Sequence, residues 1–410
     1  MMIRNSPFFI LLLAIQSCTH PRQDQTIPMG FLLFALQGKE CGSYAATTDP
    51  VSGPTVGSSG NNSDNPFRAL AVHPTDPNVV YLGSEGNGLF KTTDGGTTWT
   101  WLRAGLYHCA AYPEIYSIAI DSSNPSRIYA AANAGPGSPV TGITSTGGVY
   151  RSTDAGISWQ KVNGGLSTGD INSVAFYGPG GPRVLIGQGA GQSTGSGSST
   201  FFPGGLVYGG VTASTWSSAS APAGTTQSRF WQIAVRTSGI LTFGANPING
   251  SATGSGLLTS TDGITWNALA NPLSGLAGSY FEASSDLQVI YADLLSDAPP
   301  PRFYKSINGG TAWTNPSVNA SGPIRIIGAD PNTVLVGSFH QILRSTNGLA
   351  STSVVLTAAD TSTVVSAIES APSDSTIVYA ATTGLLVYKS TDSGQTFSLT
   401  ANLRNFINSH

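Results

Sequence analysis

The feature that most constrains this chain is a short motif that recurs along it in phase. It reads TTDGGTTW at 92–99 and STDAGISW at 152–159, then STDGITW, shortened, at 260–266. SINGGTAW follows at 306–313, a decayed STNGLAS at 345–351, and STDSGQTF at 390–397. The step from 152 to 260 is about twice the others, so one unit is hidden inside it. GLVYGGVTASTW at 205–216 supplies that unit, keeping the apolar lead-in and the Trp but not the Asp. The count is therefore seven units.

Each unit also has a recognisable front half. RALAVHPTDPNVVYLG in the first unit matches YSIAIDSSNPSRIYAA in the second, and IRIIGADPNTVLVG and VSAIESAPSDSTIVYAA repeat the pattern in the sixth and seventh. Alternating apolar residues, a Pro/Asp/Asn turn and a second apolar run describe a β-hairpin. One strand before the motif and one containing its Trp bring each unit to four strands. Units of about forty to sixty residues built this way predict an all-β, seven-bladed β-propeller of four-stranded antiparallel blades. The 50 Gly and 25 Pro fit a chain made of strands and turns. Eighteen Lys and Arg spread over 410 residues, with a net charge of −3, supply no concentrated basic face, which excludes a nucleic-acid partner.

Four segments follow: a leader over 1–40, a linker over 41–66, the propeller over 67–403 and a tail over 404–410. MMIRNSPFFILLLAIQSC has a cation at Arg4 and an apolar run too short to cross a bilayer, the pattern of an export signal. The expected location is outside the cytoplasm: secreted, periplasmic or lipid-anchored. AIQS before Cys18 is a loose version of the box that precedes a lipidated Cys, and a lipid there is the one membrane attachment expected. A second apolar run, MGFLLFALQG at 29–38, leaves two readings open: a composite leader cleaved nearer Cys41, or a misplaced start codon. Cys41 and Cys109 are free to pair or to remain separate thiols. None of the Cys or His residues has metal-ligand spacing, so neither a metal nor another cofactor is expected. A monomer is expected.

The pattern S/T-x-D-x-G-x-T-W resembles the Asp-box, or BNR, repeat of sialidases, sortilin-type receptors and xyloglucan-active glycoside hydrolases. The resemblance covers roughly residues 67–403, and seven units are more similar to the sortilin and xyloglucan-active type than to six-bladed sialidases. In the motif, a short carboxylate at the turn between third and fourth strands accepts backbone N–H groups that lack ladder partners. Asp94, Asp154, Asp262 and Asp392 are thus expected to brace turns, as are Asn308 and Asn347, which accept hydrogen bonds but make poor catalytic acids. Trp99, Trp159, Trp266 and Trp313 are expected to fill space beside the neighbouring strand.

Function is expected on the opposite face. The inserts at 133–147, 189–204, 245–255 and 293–301 join second to third strands, and those at 104–114 and 220–229 join blades; by strand alternation all emerge together. Loop enlargement on one face of a repeat fold marks a binding face. Tyr107, His108, Tyr112, Phe201 and Phe202 offer rings there, and Glu114, Asp293 and Asp297 offer acceptors for hydroxyls. The expectation is a polysaccharide, glycoconjugate or protein ligand. The alternative is hydrolysis: the resemblance to xyloglucan-active enzymes implies an acid in the first blade's second-to-third-strand turn, where GSEGNGLFK has Glu85. A hydrolase then needs a second carboxyl within about 5–10 Å of Glu85. A sialidase reading would rest on Arg68, Arg229 and Arg325 converging on a carboxylate. GQSTG at 191–195 is read as a chance match to the serine-hydrolase pattern within a Gly/Ser-rich loop.

Overall fold

The computed structural model describes residues 67–106, 113–133, 146–178, 183–195, 198–223, 228–245, 256–269, 277–295 and 303–404. The leader, the linker, Cys18, Cys41 and Cys109 lie outside the described residues, as do Tyr107, His108, Tyr112 and Asp297. The chain folds as a seven-bladed β-propeller. The inner strands are Phe67–Val72, Glu114–Ile120, Ile171–Tyr177, Arg229–Arg236, Ala277–Ala283, Ile324–Ile326 and Val365–Ala371. Each pairs antiparallel with the strand that follows it, and every blade then runs outward in chain order.

Burial explains the composition of each layer. Second strands such as Val80–Ser84 and Val334–Ser338 are buried along their whole length, because a blade covers each face. They therefore read as continuous apolar runs rather than alternating ones. Two of the outer strands, Ser217–Ser218 and Asn267–Ala268, are only two residues long and exposed, which leaves little edge there for another chain to pair with. The fifth blade carries the shortest rim of all, a single bridge between Lys305 and Thr314 outside a three-stranded sheet.

Adjacent blades are fastened by a repeated staple. From the second strands of their blades, Tyr81 donates to Ala155 O, Tyr291 to Pro331 O and Tyr379 to Pro77 O, each at 2.8–2.9 Å and each in the next blade. A Lys from the third strand lies over each of these rings, at 5.3–5.4 Å from its centroid. Where the tyrosine is replaced by leucine, the contact becomes apolar. A Cβ added to Gly263 or Gly394, both at positive φ, would fall 2.6 Å from Leu185 or Leu335 of the preceding blade. Only glycine meets both demands.

The ring closes by packing. The last blade is built wholly from the C-terminal strands Val365–Ala371, Asp374–Thr382, Leu386–Ser390 and Ser398–Asn402. It shares one core with the first blade, including Phe67, Val80, Phe90, Tyr379 and Val387. Among the described residues the first and last blades thus meet directly, joined also by the Tyr379–Pro77 bond.

One expected loop is instead a strand. Gly191–Gly195 pairs with Ser198–Phe202 as a separate two-stranded hairpin within the third blade's second-to-third-strand connection. Thr194, Thr200, Phe201 and Phe202 favour extended backbone, and this outweighs the Gly/Ser content that suggested a loop.

Candidate functional site

Six of the seven inner strands break register at the same level, near the end where they enter from the loop-rich face. The residues left out of the ladder include Arg68, Tyr116, Asn172, Trp231 and Ser366. A bulge leaves its extra residue unpaired and re-aims the side chain. Repeated around a ring, it brings these side chains to one mouth of the central channel. The sixth blade keeps its register; Pro323 stands just before its inner strand and accepts a bond from Gly337 N.

Glu85 sits at this mouth in a turn that is itself fixed. Asn87 N donates to Ser84 Oγ, Trp101 Nε1 donates to Asn87 O at 2.7 Å, and Gly86 and Gly88 take positive φ. Glu85 Oε1 accepts from Arg68 Nε and from Tyr116 OH, both at 2.6 Å. Two blades thus converge on one carboxylate oxygen. Glu114, the first residue of the second inner strand, adjoins them. Burial, and then the charge of Glu85, push its carboxyl above the usual range, while Arg68 opposes. A carboxyl so placed holds its proton longer than a free one.

A second polar group continues the belt through the third and fourth blades. Asn133 Nδ2 donates to Asp170 Oδ1 at 2.7 Å and to Asn172 Oδ1 at 2.6 Å. Arg229 Nη2 lies 3.5 Å from Asp170 Oδ2, and the guanidinium stands over the Trp231 ring. Trp231 in turn meets Tyr116 at 5.9 Å between centroids. Burial raises the Asp170 carboxyl against the pull of Arg229, and Asp170 adds to the field that raises Glu114.

A central cavity of about 450 Å³ runs down from this mouth, with all seven inner strands in its wall. Deeper along the inner strands the register places Ala71, Ala119, Ala175 and Ala234 at one level, opposite Tyr81, Tyr129, Leu185 and Leu241 of the adjoining strands. The last three blades put Glu282, Arg325 and Glu369 at that same level. Glu282 is shared between Arg236 and Arg325, and Arg325 also binds Glu369. Burial raises Glu369 to about 7 although Arg325 pulls the other way.

The three arginines Arg68, Arg229 and Arg325 therefore do not converge: each is matched to a different carboxylate of the protein, Glu85, Asp170 or Glu369. Of the residues expected to bind, Glu114 joins Glu85. Asp293 is buried, 1% exposed, and its Oδ2 accepts from Ser321 Oγ and Gly322 N. Phe201 and Phe202 lie on the outgoing strand of the hairpin, paired with Gln192 and Gly191. Sequence reasoning missed Tyr116, Asp170, Asn172 and Trp231. Bulges leave no periodic signal, although a polar or aromatic residue near the start of an otherwise apolar inner strand is the trace they leave.

The repeated turns lie at the opposite end of the blades and bond within themselves. Asp154 accepts from Ser152 Oγ and from Ser158 N and Oγ, and Asp94 and Asp392 repeat this set. Asp262 accepts Ile264 N and Thr265 N, while Asn308 and Asn347 each accept one N–H four residues on. Trp99, Trp159, Trp266 and Trp313 donate Nε1 to a carbonyl three residues back in the turn. Trp216, in the unit without the Asp, donates across to Val162 O of the second blade instead. Bonds from Thr396 and Ser390 hold Asp392 down to about 2.

No protein-family model matches the chain. Among curated proteins it is similar to a xyloglucanase of Hypocrea jecorina, 28% identical over 163 residues, covering 39% of this chain and 16% of that protein. Xyloglucanase Xgh74A of Acetivibrio thermocellus is 31% identical over 110 residues, 23% of this chain and 12% of its own length. The matches thus span a small part of both relatives. Among solved structures, an ancestral GH74 enzyme superposes with a TM-score of 0.59 at 17% identity, over 87% of this chain and 48% of that one. YCF48 from Cyanidioschyzon merolae gives 0.50 at 12% identity, over 83% and 96%. At such identities these structures speak for the fold alone.

Proposed function

We propose that this protein is a glycoside hydrolase acting on a neutral polysaccharide of the xyloglucan type at the loop-rich mouth of its propeller. The observation that carries this reading is the pair Glu85 and Glu114: two carboxyls of adjoining blades, electrostatically coupled, in unlike surroundings. Glycoside hydrolysis needs one carboxyl that gives a proton and one carboxylate that activates water or attacks the sugar. Divergent environments are how two acids divide those roles. Glu114, raised by burial, is the proton donor; Glu85, aligned by Arg68 and Tyr116, is the carboxylate. The sequence similarity to two xyloglucanases supports the substrate class. We further assign the chain to the Asp-box propellers, with its turn carboxylates as braces, and to an exported location that would give it access to such a polymer.

The test is reducing-sugar release from xyloglucan and a panel of β-glucans. Glu85→Gln should abolish it. Glu114→Gln should abolish release from polymer but spare aryl glycosides whose leaving group needs no proton. Full activity in either variant on polymer would sink the assignment. One observation favours a second reading, binding without turnover: Arg68 and Tyr116 both occupy Glu85 Oε1. Retention on insoluble glucan with no sugar released by the wild type would select it.

A further inference from the structure

We infer that the central channel holds a single neutral sugar ring, a branch or chain end of the polymer lying across the mouth; this rests on the polysaccharide reading above. Size is the first argument. The cavity of about 450 Å³ lies within the range of small-ligand sites and has room for roughly 15 waters. That is ample for one sugar ring together with its hydration.

Charge is the second argument. Three guanidiniums reach this space, Arg68, Arg236 and Arg325, and the protein supplies three carboxylates against them, Glu85, Glu282 and Glu369. Above pH ~7, where Glu369 is ionised, each ion is paired, so an anionic or cationic guest would have to displace a partner and leave a buried charge unmatched. A neutral guest carrying hydroxyls faces no such cost, because each hydroxyl both donates and accepts.

The third argument is the wall itself. Tyr116 and Trp231 meet at 5.9 Å and 32°, and both line the cavity, giving an apolar surface for the C–H face of a ring. Gln232 beside them accepts Phe281 N on Oε1, which leaves its NH2 to donate. Aromatic carbon, an amide donor and internally neutralised ions together describe a site for a polyol.

The experiment is calorimetric titration of the full chain with glucose, xylose, galactose and glucuronate, to roughly tens of millimolar. At least one neutral sugar should saturate, and glucuronate should not. Leu70→Trp, which fills the channel from its wall, and Trp231→Ala, which removes the stacking surface, should each weaken binding at least ~10-fold with thermal melts of both variants recorded alongside. Oligosaccharides with and without branches then separate the two sources: a branch in the channel makes the branched one bind more tightly, a chain end makes them equal. If no neutral sugar saturates, if glucuronate is preferred, or if both folded variants bind as the wild type does, the inference fails. Should the wild type still cleave polymer in those cases, the proposed hydrolase stands without it. Should sugar fill the channel while polymer goes untouched, the hydrolase fails and the channel site remains.

Discussion

Glu369 offers a sharp test of how the channel is built. Its carboxyl sits against Arg325, with Glu282 and Arg236 close enough to act on it and Ser370 bonded to the same arginine. A partner arginine alone would lower its pKa. Burial wins instead, raising it from 4.5 to about 7, and the 24% of the side chain left exposed opens onto the channel. The sign follows from linkage. Below the unfolded value both states hold the proton and nothing is lost. As pH rises toward the folded value, the unfolded chain ionises first and stability falls; above it the loss is complete. At ~1.4 kcal/mol per pH unit the gap amounts to about 3 kcal/mol, and water in the channel reduces this toward ~2.

Glu369→Gln keeps an acceptor for Arg325 and removes the titration. Urea unfolding of both proteins, compared at each pH, cancels every other titrating group, including Glu114 and Asp170. The two should be equally stable near pH ~4.5, and the Gln variant should lead by about 2–3 kcal/mol by pH ~8. A flat difference would show that attraction to Arg325 cancels burial, and a wild type more stable at the alkaline end that it outweighs burial; either outcome refutes the reasoning.

The remaining predictions concern the frame. Tyr379→Phe removes the bond to Pro77 O and should cost about 1 kcal/mol, the same as Tyr291→Phe at an ordinary junction. A much larger loss by urea unfolding would make the closure a special seam. Asp392, held down to about 2 by bonds from Thr396 and Ser390, contributes stability at neutral pH that is lost as pH falls from about 4 through 2. Because it is largely solvated, Asp392→Asn should cost less than about 1 kcal/mol, and the difference should vanish in acid. Asp154→Ala strips the acceptor from Ser158 N and Oγ and should cost about 1–2 kcal/mol more than Asp154→Asn; equal losses would mean the turn is held by something else. Gly263→Ala, at positive φ and against Leu185, should destabilise by at least ~1 kcal/mol.

The sequence by itself determined the architecture. The turn recurs once per blade, because each blade must turn between its third and fourth strands at the same place; a local carboxylate in four blades, and an amide oxygen in two, satisfies it without help from elsewhere. Local chemistry writes itself into local sequence, which is why Asp154 and Trp159 were legible as a pair and why blade count and phase followed. Glu85 and Glu114 were legible for the same reason, each lying at a strand end that the repeat had already located. Whether those two acids feel one another was not legible, nor was Asp293's burial behind Ser321 and Gly322. The channel was decided by tertiary structure alone. Arg68, Tyr116, Asn172 and Trp231 come from four blades and share no spacing; a bulge in each strand and the closure of the ring bring them to one mouth. The pairing of Arg325 with Glu282 and Glu369 likewise exists only because three separate strands reach the axis at one level. Side chains far apart in the chain acquire a common field only when the fold removes the water between them.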